Sequence, residues 1–521
     1  MIRLLSATAA LALLAGAASA QEQFTLTILH TNDFHDRFEP ISDGGSPCSE
    51  EQAAANECLG GIARLATAVE QAREEATNPI LLDAGDQYQG SLLYTMYKGA
   101  MSAEFMPMLG YDAMAVGNHE FDDGPSGMTV LLDGVDFPVL SANIDVSQEP
   151  ALAGRIEKST VLDVAGEQVG VVAVLAEDTP ETSSPGPNVI FSPIADAAQA
   201  EIDRLTEEGV NKIIVLSHVG LAADRRLAEA LTGADVIVGG HSHTLLSNVA
   251  EGAEDVYPVM VNDVPIVQAY ANGQYLGRLV VSFDGEGNVV AAEGEPILLD
   301  SSVAEDEAIV ARVQELAAPL EEMRAEVVAN TTEAIEGSRE VCRAQECQMG
   351  SLIADAMLDR VKDQGIDIAI QNGGGIRASI DAGEITMGEV LTVLPFRNSL
   401  ATFTTTGEEI IAALENGVSQ IADGAGRFPQ VAGMSYAFDA DAEPGSRISD
   451  VMVGGEPIDP AATYGVVTND YVRNGGDGYA MFADAEDAYD FGPGLEAVLA
   501  DYVASQGPDF APYTDGRIVA K

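Results

Sequence analysis

The chain is poor in bases. It carries 25 lysines and arginines, only five of them lysine, against 83 aspartates and glutamates, a formal net charge of −58 over 521 residues. A nucleic-acid polymer needs a basic footprint, so it is excluded as a partner, and a small molecule is expected instead. An acidic surface of this size keeps a protein dispersed in water. If the substrate is an anion, metals and a few arginines must overcome the global repulsion locally. Long apolar runs are also scarce. Beyond the first residues no stretch could span a bilayer, and the ending GRIVAK offers no hydrophobic tail for a lipid anchor. No membrane anchor is expected. The beginning differs: Arg3, then LLSATAALALLAGAA, then Ala18-Ser19-Ala20 before Gln21. This reads as a cleavable signal over residues 1–20 and predicts an exported chain, periplasmic or secreted.

There are four cysteines, Cys48, Cys58, Cys342 and Cys347. An even count in an exported chain suggests disulfides. The simplest pairing joins Cys48 to Cys58 and Cys342 to Cys347. A cysteine zinc site is the alternative, although neither pair has the C-x-x-C spacing. The sequence carries no signal for an oligomeric state.

Histidine is scarce, six in all and none after residue 243. Five of the six sit where short apolar runs end. FTLTILH leads into Asp33 and His35, PILLDAG into Asp86, DAMAVG into Asn118 and His119, KIIVLS into His218, and DVIVGG into His241 and His243. Each run reads as a buried strand of a parallel sheet. In open α/β sheets, sites form beyond the carboxyl ends of strands. Asp, His and Asn gathered there are the ligand inventory of a two-metal hydrolase. Asp86, alone in GDQYQG, is the natural bridge between two cations, because a carboxylate has two oxygens. His119 follows Asn118 directly and points elsewhere; Asp122, three residues on, can fix its tautomer. That pair can stabilise the transition state or protonate the leaving oxygen. His30 has no partner at ligand spacing and reads as a core residue.

Residues 21–305 alternate strands with helical patterns. Ile62, Leu65, Ala66 and Val69 share one face, as do Ala198, Ile202 and Leu205. That alternation argues for an α/β layer structure. Over residues 306–330, Ile309, Val313, Leu316, Leu320, Met323 and Val327 step by four and three. This predicts a long amphipathic connecting helix of ~20 residues. A second α/β unit follows over 331–521, rich in glycine turns. NGGGIR carries Asn372 and Arg377, and NGGDGY carries Asp477. Glycines let a backbone approach a ligand closely, and an arginine fork suits phosphate. Tyr471 precedes Asp477 by six residues, and Phe428 lies in GRFPQVAG. Two aromatic faces can hold a nucleobase; core packing is the other reading of these rings.

The motifs DFHDRF, GDQYQG, GNHEFDDG, SHVG and GGHSHT resemble those of the calcineurin-like metallophosphatases. Their order and context resemble the secreted 5′-nucleotidase group, and the resemblance covers nearly all of the mature chain. It implies a four-layer αββα metallophosphatase domain, the connecting helix and a C-terminal α/β nucleotide-specificity domain. It assigns Asp33, His35, Asp86 and His243 to one metal, and Asp86, Asn118, His218 and His241 to the other. The metals it implies are zinc, with manganese or cobalt able to substitute. His119 and Asp122 match the family's catalytic dyad. Phe428 and Tyr471 match its nucleobase sandwich, Asp477 its ribose contact, Arg343 and Arg377 its ribose–phosphate contacts, and Asn372 its base-side contact. The family has a disulfide at the Cys342–Cys347 spacing. Two positions depart from the pattern: Tyr471 replaces the usual phenylalanine, and Arg397 stands where small residues are common. The implied activity is hydrolysis of nucleoside 5′-monophosphates by a metal-activated hydroxide. The alternatives are a 2′,3′-cyclic phosphodiesterase with 3′-nucleotidase activity, a UDP-sugar hydrolase, a thiosulfohydrolase, or a non-catalytic nucleotide-binding surface protein. A non-catalytic protein has no need of His119 with Asp122.

Overall fold

The computed structural model describes residues 23–521 apart from 43, 44, 46, 397, 484, 490, 491 and 508. The export segment 1–20 and Arg397 lie outside the described residues.

In the strand Phe24–Thr31, Leu26 and Ile28 face one way and Leu29 the other, and all three are fully buried. A strand apolar on both faces needs a layer on each. The strand sits inside a sheet ordered Val289–Gly294, Tyr275–Phe283, Phe24–Thr31, Pro79–Asp83, Ala113–Ala115, Val139–Leu140. Leu26 and Ile28 meet a second sheet, ordered Val259–Val261, Val264–Val267, Val236–Gly239, Ile213–His218, Glu167–Leu175, Ser159–Val164. Leu29 and Leu81 meet the helices Ile62–Glu75, Ala100–Leu109 and Gly124–Gly134 on the outer face. The helices Ile194–Glu207 and Leu221–Ala230 cover the second sheet through Ile202, Leu205 and Leu227. The order of layers is helix, sheet, sheet, helix. Each buried Leu or Ile contributes roughly 1.5–3 kcal/mol relative to exposure.

Parallel pairing aligns the strand ends that carry the chemistry. Thr31 pairs Asp83, Asp83 pairs Met114, and Ser217 pairs Gly239. The loops after these strands therefore open at one edge of the sandwich.

The connector departs from one continuous helix. It runs Glu307–Ala317, tightens to a 3-10 turn at Ala318–Leu320, continues over Glu321–Arg324, and becomes a strand at Val327–Thr331. Pro319 lacks the N–H that an α ladder requires, which accounts for the turn. Ile309, Val313, Ala317 and Leu320 pack into the first unit's core, whereas Met323 and Val327 are exposed. Val327 is held by pairing with Thr386 of the second unit, so the backbone ladder overrides the helical period.

The second unit centres on a mixed sheet ordered Pro429–Ala432, Ile368–Asn372, Thr463–Asn469, Leu400–Thr406, Glu486–Tyr489. The helices Gln348–Val361, Met387–Val393 and Leu495–Ser505 cover one face, and Gly407–Gly417 the other. A smaller sheet carries Met434–Phe438 between Ile448–Val453 and Ile518–Ala520. Cys48 is bonded to Cys58 and Cys342 to Cys347. The units touch where Gln52 Nε2 donates to Asp381 Oδ2 at 2.6 Å, and Arg324 of the connector pairs with Glu39 of the first unit at 2.7 Å. Among the described residues no helix is long and apolar enough to cross a membrane.

Candidate active site

The loops after strands Phe24–Thr31 and Pro79–Asp83 are zipped together. Asp33, His35 and Asp36 donate their backbone N–H groups to Gly85, Asp86 and Gln87. Phe34 turns into the core against Phe38, and Asp33 and His35, both buried, converge on one group. Asp33, His35, Asp86, His241 and His243 all hold positive φ, between 49° and 72°. Non-glycine residues adopt this region at a cost, and clusters of them mark functional sites.

Two ligand groups result. Asp33, His35 and His243 converge, as do Asp86, His218 and His241, with ligand atoms within 4.8 Å of one another in each group. Asp86 Oδ2 lies 3.1 Å from His218 Nε2 and 3.9 Å from His35 Nε2, so one carboxylate adjoins both groups. Asn118 Oδ1 stands 2.9 Å from His241 Nδ1 and 3.2 Å from His218 Nε2. The donor set is imidazole nitrogen with carboxylate and amide oxygen, which suits divalent transition ions.

Hydrogen bonds set the imidazole tautomers. His35 Nδ1 lies 3.0 Å from the Gln89 carbonyl, and His218 Nδ1 lies 2.7 Å from that of Ala84. Each Nδ1–H is thereby donated to a carbonyl, which turns each Nε2 toward the site, as metal-ligating histidines require. His35 Nε2 lies 3.0 Å from His243 Nε2. Burial first, and then nearby arginines, holds His35 and His243 well below the ordinary imidazole range. Burial and His218 push His241 down to about 3. Neutral imidazoles gathered around two carboxylates are the state in which a cation binds. His218 runs the other way: burial lowers it, but Asp86 more than offsets this and brings it to about 10.

His119 Nδ1 lies 2.6 Å from Asp122 Oδ2, and the His119 backbone N–H donates to Asp86 Oδ1. Burial alone would lower His119; Asp122 and Asp86 outweigh it, and the net shift is upward.

An open cleft of about 1160 Å³ runs from these groups into the second unit. Arg343, Asn372, Arg377, Tyr471 and Asp477 all line it. Arg377 Nη2 reaches His35 Nε2 at 3.1 Å, and Arg343 donates to the Gly424 carbonyl. Asn372 Nδ2 donates to Asp477 Oδ2 at 2.6 Å. Phe428 is the exception. It has no exposed surface, meets Phe438 edge-on at 5.6 Å between ring centres, and is absent from the cleft wall. The extended backbone alternates its side chains, so Arg427 faces the cleft and Phe428 faces the core. An aromatic sandwich between Phe428 and Tyr471 is therefore not formed in this arrangement. His30 is a buried residue bonded to the Tyr257 hydroxyl, away from both ligand groups.

Two residues of weight carry little signal in the sequence. Arg339 lines the cleft and donates to the His241 carbonyl at 3.2 Å. Burial first, and then mutual repulsion, lowers Arg343 and Arg377, each beside Arg339. Three guanidiniums in one wall, that of Arg343 buried and those of Arg339 and Arg377 half-buried, call for an anion. Arg343 and Arg377 were marked by their motifs, whereas the sequence signal of Arg339 is only a basic residue in a chain that has few. Glu120 accepts four backbone N–H groups, from Gly117, Asp86, Gln87 and Tyr88, at 2.7–3.2 Å. It locks the loop of Asp86 to that of Asn118.

Residues 26–245 match the family model described as calcineurin-like phosphoesterase, and residues 327–484 the one described as 5′-nucleotidase, C-terminal domain. The chain is 40% identical to a 5′-nucleotidase of Mus musculus over 96% of its own length and 91% of the relative's. It is 38% identical to a snake venom 5′-nucleotidase of Naja atra, over 95% of its length and 98% of the relative's. The crystal structure of a 5′-nucleotidase precursor from Thermus thermophilus superposes with a TM-score of 0.90 at 41% identity, covering 95% of this chain and 99% of that one.

Proposed function

The chain belongs to the 5′-nucleotidase family of calcineurin-like phosphoesterases, and on that premise we propose how its residues divide the work. The enzyme is a metal-dependent phosphoric monoester hydrolase that converts nucleoside 5′-monophosphates to nucleoside and phosphate. The observation that carries the mechanism is Asp86, a single carboxylate adjoining two groups of imidazoles.

In our reading Asp33, His35, Asp86 and His243 hold one divalent cation, and Asp86, Asn118, His218 and His241 the other. Zinc fits these donors best, with manganese or cobalt as substitutes. When bound, the pair supplies positive charge at the phosphate and lowers the pKa of water. The remaining work falls to side chains. Arg339, Arg343 and Arg377 bring donor forks to the phosphate and offset the repulsion of an acidic protein. His119, oriented by Asp122, meets the leaving oxygen and carries its proton. Asp477 and Asn372, at the far side of the cleft, suit the hydroxyl donors of a ribose, and Tyr471 offers one face to a base.

We take residues 1–20 as an export signal, 21–305 as the metallophosphatase unit, 306–330 as the connector and 331–521 as the nucleoside unit. The two disulfides and the venom relative support an exported enzyme. The test is phosphate release from AMP, 3′-AMP, 2′,3′-cyclic AMP and UDP-glucose side by side, with zinc and with manganese. AMP should be turned over fastest. Faster release from 3′-AMP or UDP-glucose would overturn the substrate reading.

A further inference from the structure

His119 uses only one oxygen of Asp122. The other oxygen, Oδ1, accepts the Ser183 hydroxyl at 2.7 Å. A carboxylate held at one oxygen can still turn about its last bond; held at both, it cannot. Ser183 thus completes a line from Ser183 Oγ through Asp122 to His119 Nδ1.

The segment bearing Ser183 is held on three sides. Ala176 donates its backbone N–H to the His218 carbonyl at 3.0 Å, which fixes the start of the segment to a strand bearing a metal ligand. Thr179 is fully buried, and its hydroxyl donates to the Ala176 carbonyl. The short helix Thr179–Thr182 then packs against the Gly476–Gly478 turn of the second unit, and the Ser183 N–H closes the helix on the Thr179 carbonyl. Ser183 itself is partly exposed and lines the cleft, so no core packing accounts for its hydroxyl.

We propose that Ser183 is a positioning residue for the reaction: its hydroxyl fixes the Asp122 carboxylate, and through it the His119 ring, in the geometry that meets the leaving oxygen. Ser183 does not touch the phosphate. It acts only through the dyad, so it should lower turnover without changing substrate affinity or metal content. This inference rests on the dyad reading above.

The test is a double-mutant cycle on the full-length enzyme with AMP. S183A should lower kcat roughly 10- to 100-fold, the scale on which misplacing a catalytic group acts, with KM within about twofold and both cations retained. S183T keeps the hydroxyl and should restore most of the turnover. Two residues on one line are non-additive, so S183A should cost nothing further in an H119A background. A wild-type kcat in S183A alongside a crippled H119A would overturn the role of Ser183 alone. So would an equal S183A loss in both backgrounds, which is what a merely structural defect gives. Wild-type turnover in H119A would overturn the dyad reading, and the role of Ser183 with it.

Discussion

The Tyr471 hydroxyl is bonded twice to one residue: it donates to Asp477 Oδ1 at 3.3 Å and accepts the Asp477 backbone N–H at 3.2 Å. The turn it pins is unusual, with Gly475 at φ +97° and Asp477 at φ +54°. The phenylalanine common at this position in the family cannot make either bond. In this chain the ring and the Asp477 carboxylate are therefore one unit.

Replacing Tyr471 with Phe keeps the ring and removes the tether. A net hydrogen bond contributes ~0.5–1.5 kcal/mol, so KM for AMP should rise roughly 2- to 12-fold. Hydrolysis of p-nitrophenyl phosphate, which has no ribose, should stay within about twofold. Equal losses on both substrates would mean that the tether supports the whole domain rather than the ribose contact.

Phe428 is core, and its removal should read as a stability defect. Phe→Ala in a core costs ~3–5 kcal/mol. F428A should unfold at markedly lower temperature, and its KM for AMP should shift no more than that for p-nitrophenyl phosphate. A raised KM for AMP alone, at an unchanged Tm, would put this ring in the cleft after all.

The upward shift of His119 has a testable sign. An imidazolium that donates a proton is active below its pKa and lost as pH rises through it. Burial opposes that charge and Asp122 supports it. Asp122→Asn removes the support, so the basic limb of the kcat profile should move to lower pH. An unmoved limb would show that it reports another group.

The two clusters of Asp and His were legible because each residue follows a short apolar run, and parallel register brings such run ends to one edge. The runs and the helical faces between them indicated an α/β layer structure, and the order of the four layers came only from the family resemblance. The connector was legible only to Leu320, because Pro319 and the pairing of Val327 lie outside any apolar period. Phe428 misled for a related reason: a single ring beside a glycine-rich loop carries no period, and the alternation that turns Arg427 outward turns it inward. Glu120 and Ser183 act on backbone amides and on another carboxylate, contacts that leave no residue pattern behind.

The position of Asp86 between the two groups suits it to serve two cations at once. Metal analysis of purified Asp86→Ala, with the wild type alongside, tests it most directly. The wild type should hold two equivalents per chain, and the variant should lose metal from both positions and release no measurable phosphate from AMP. Two equivalents retained in the variant, with AMP turnover intact, would contradict it.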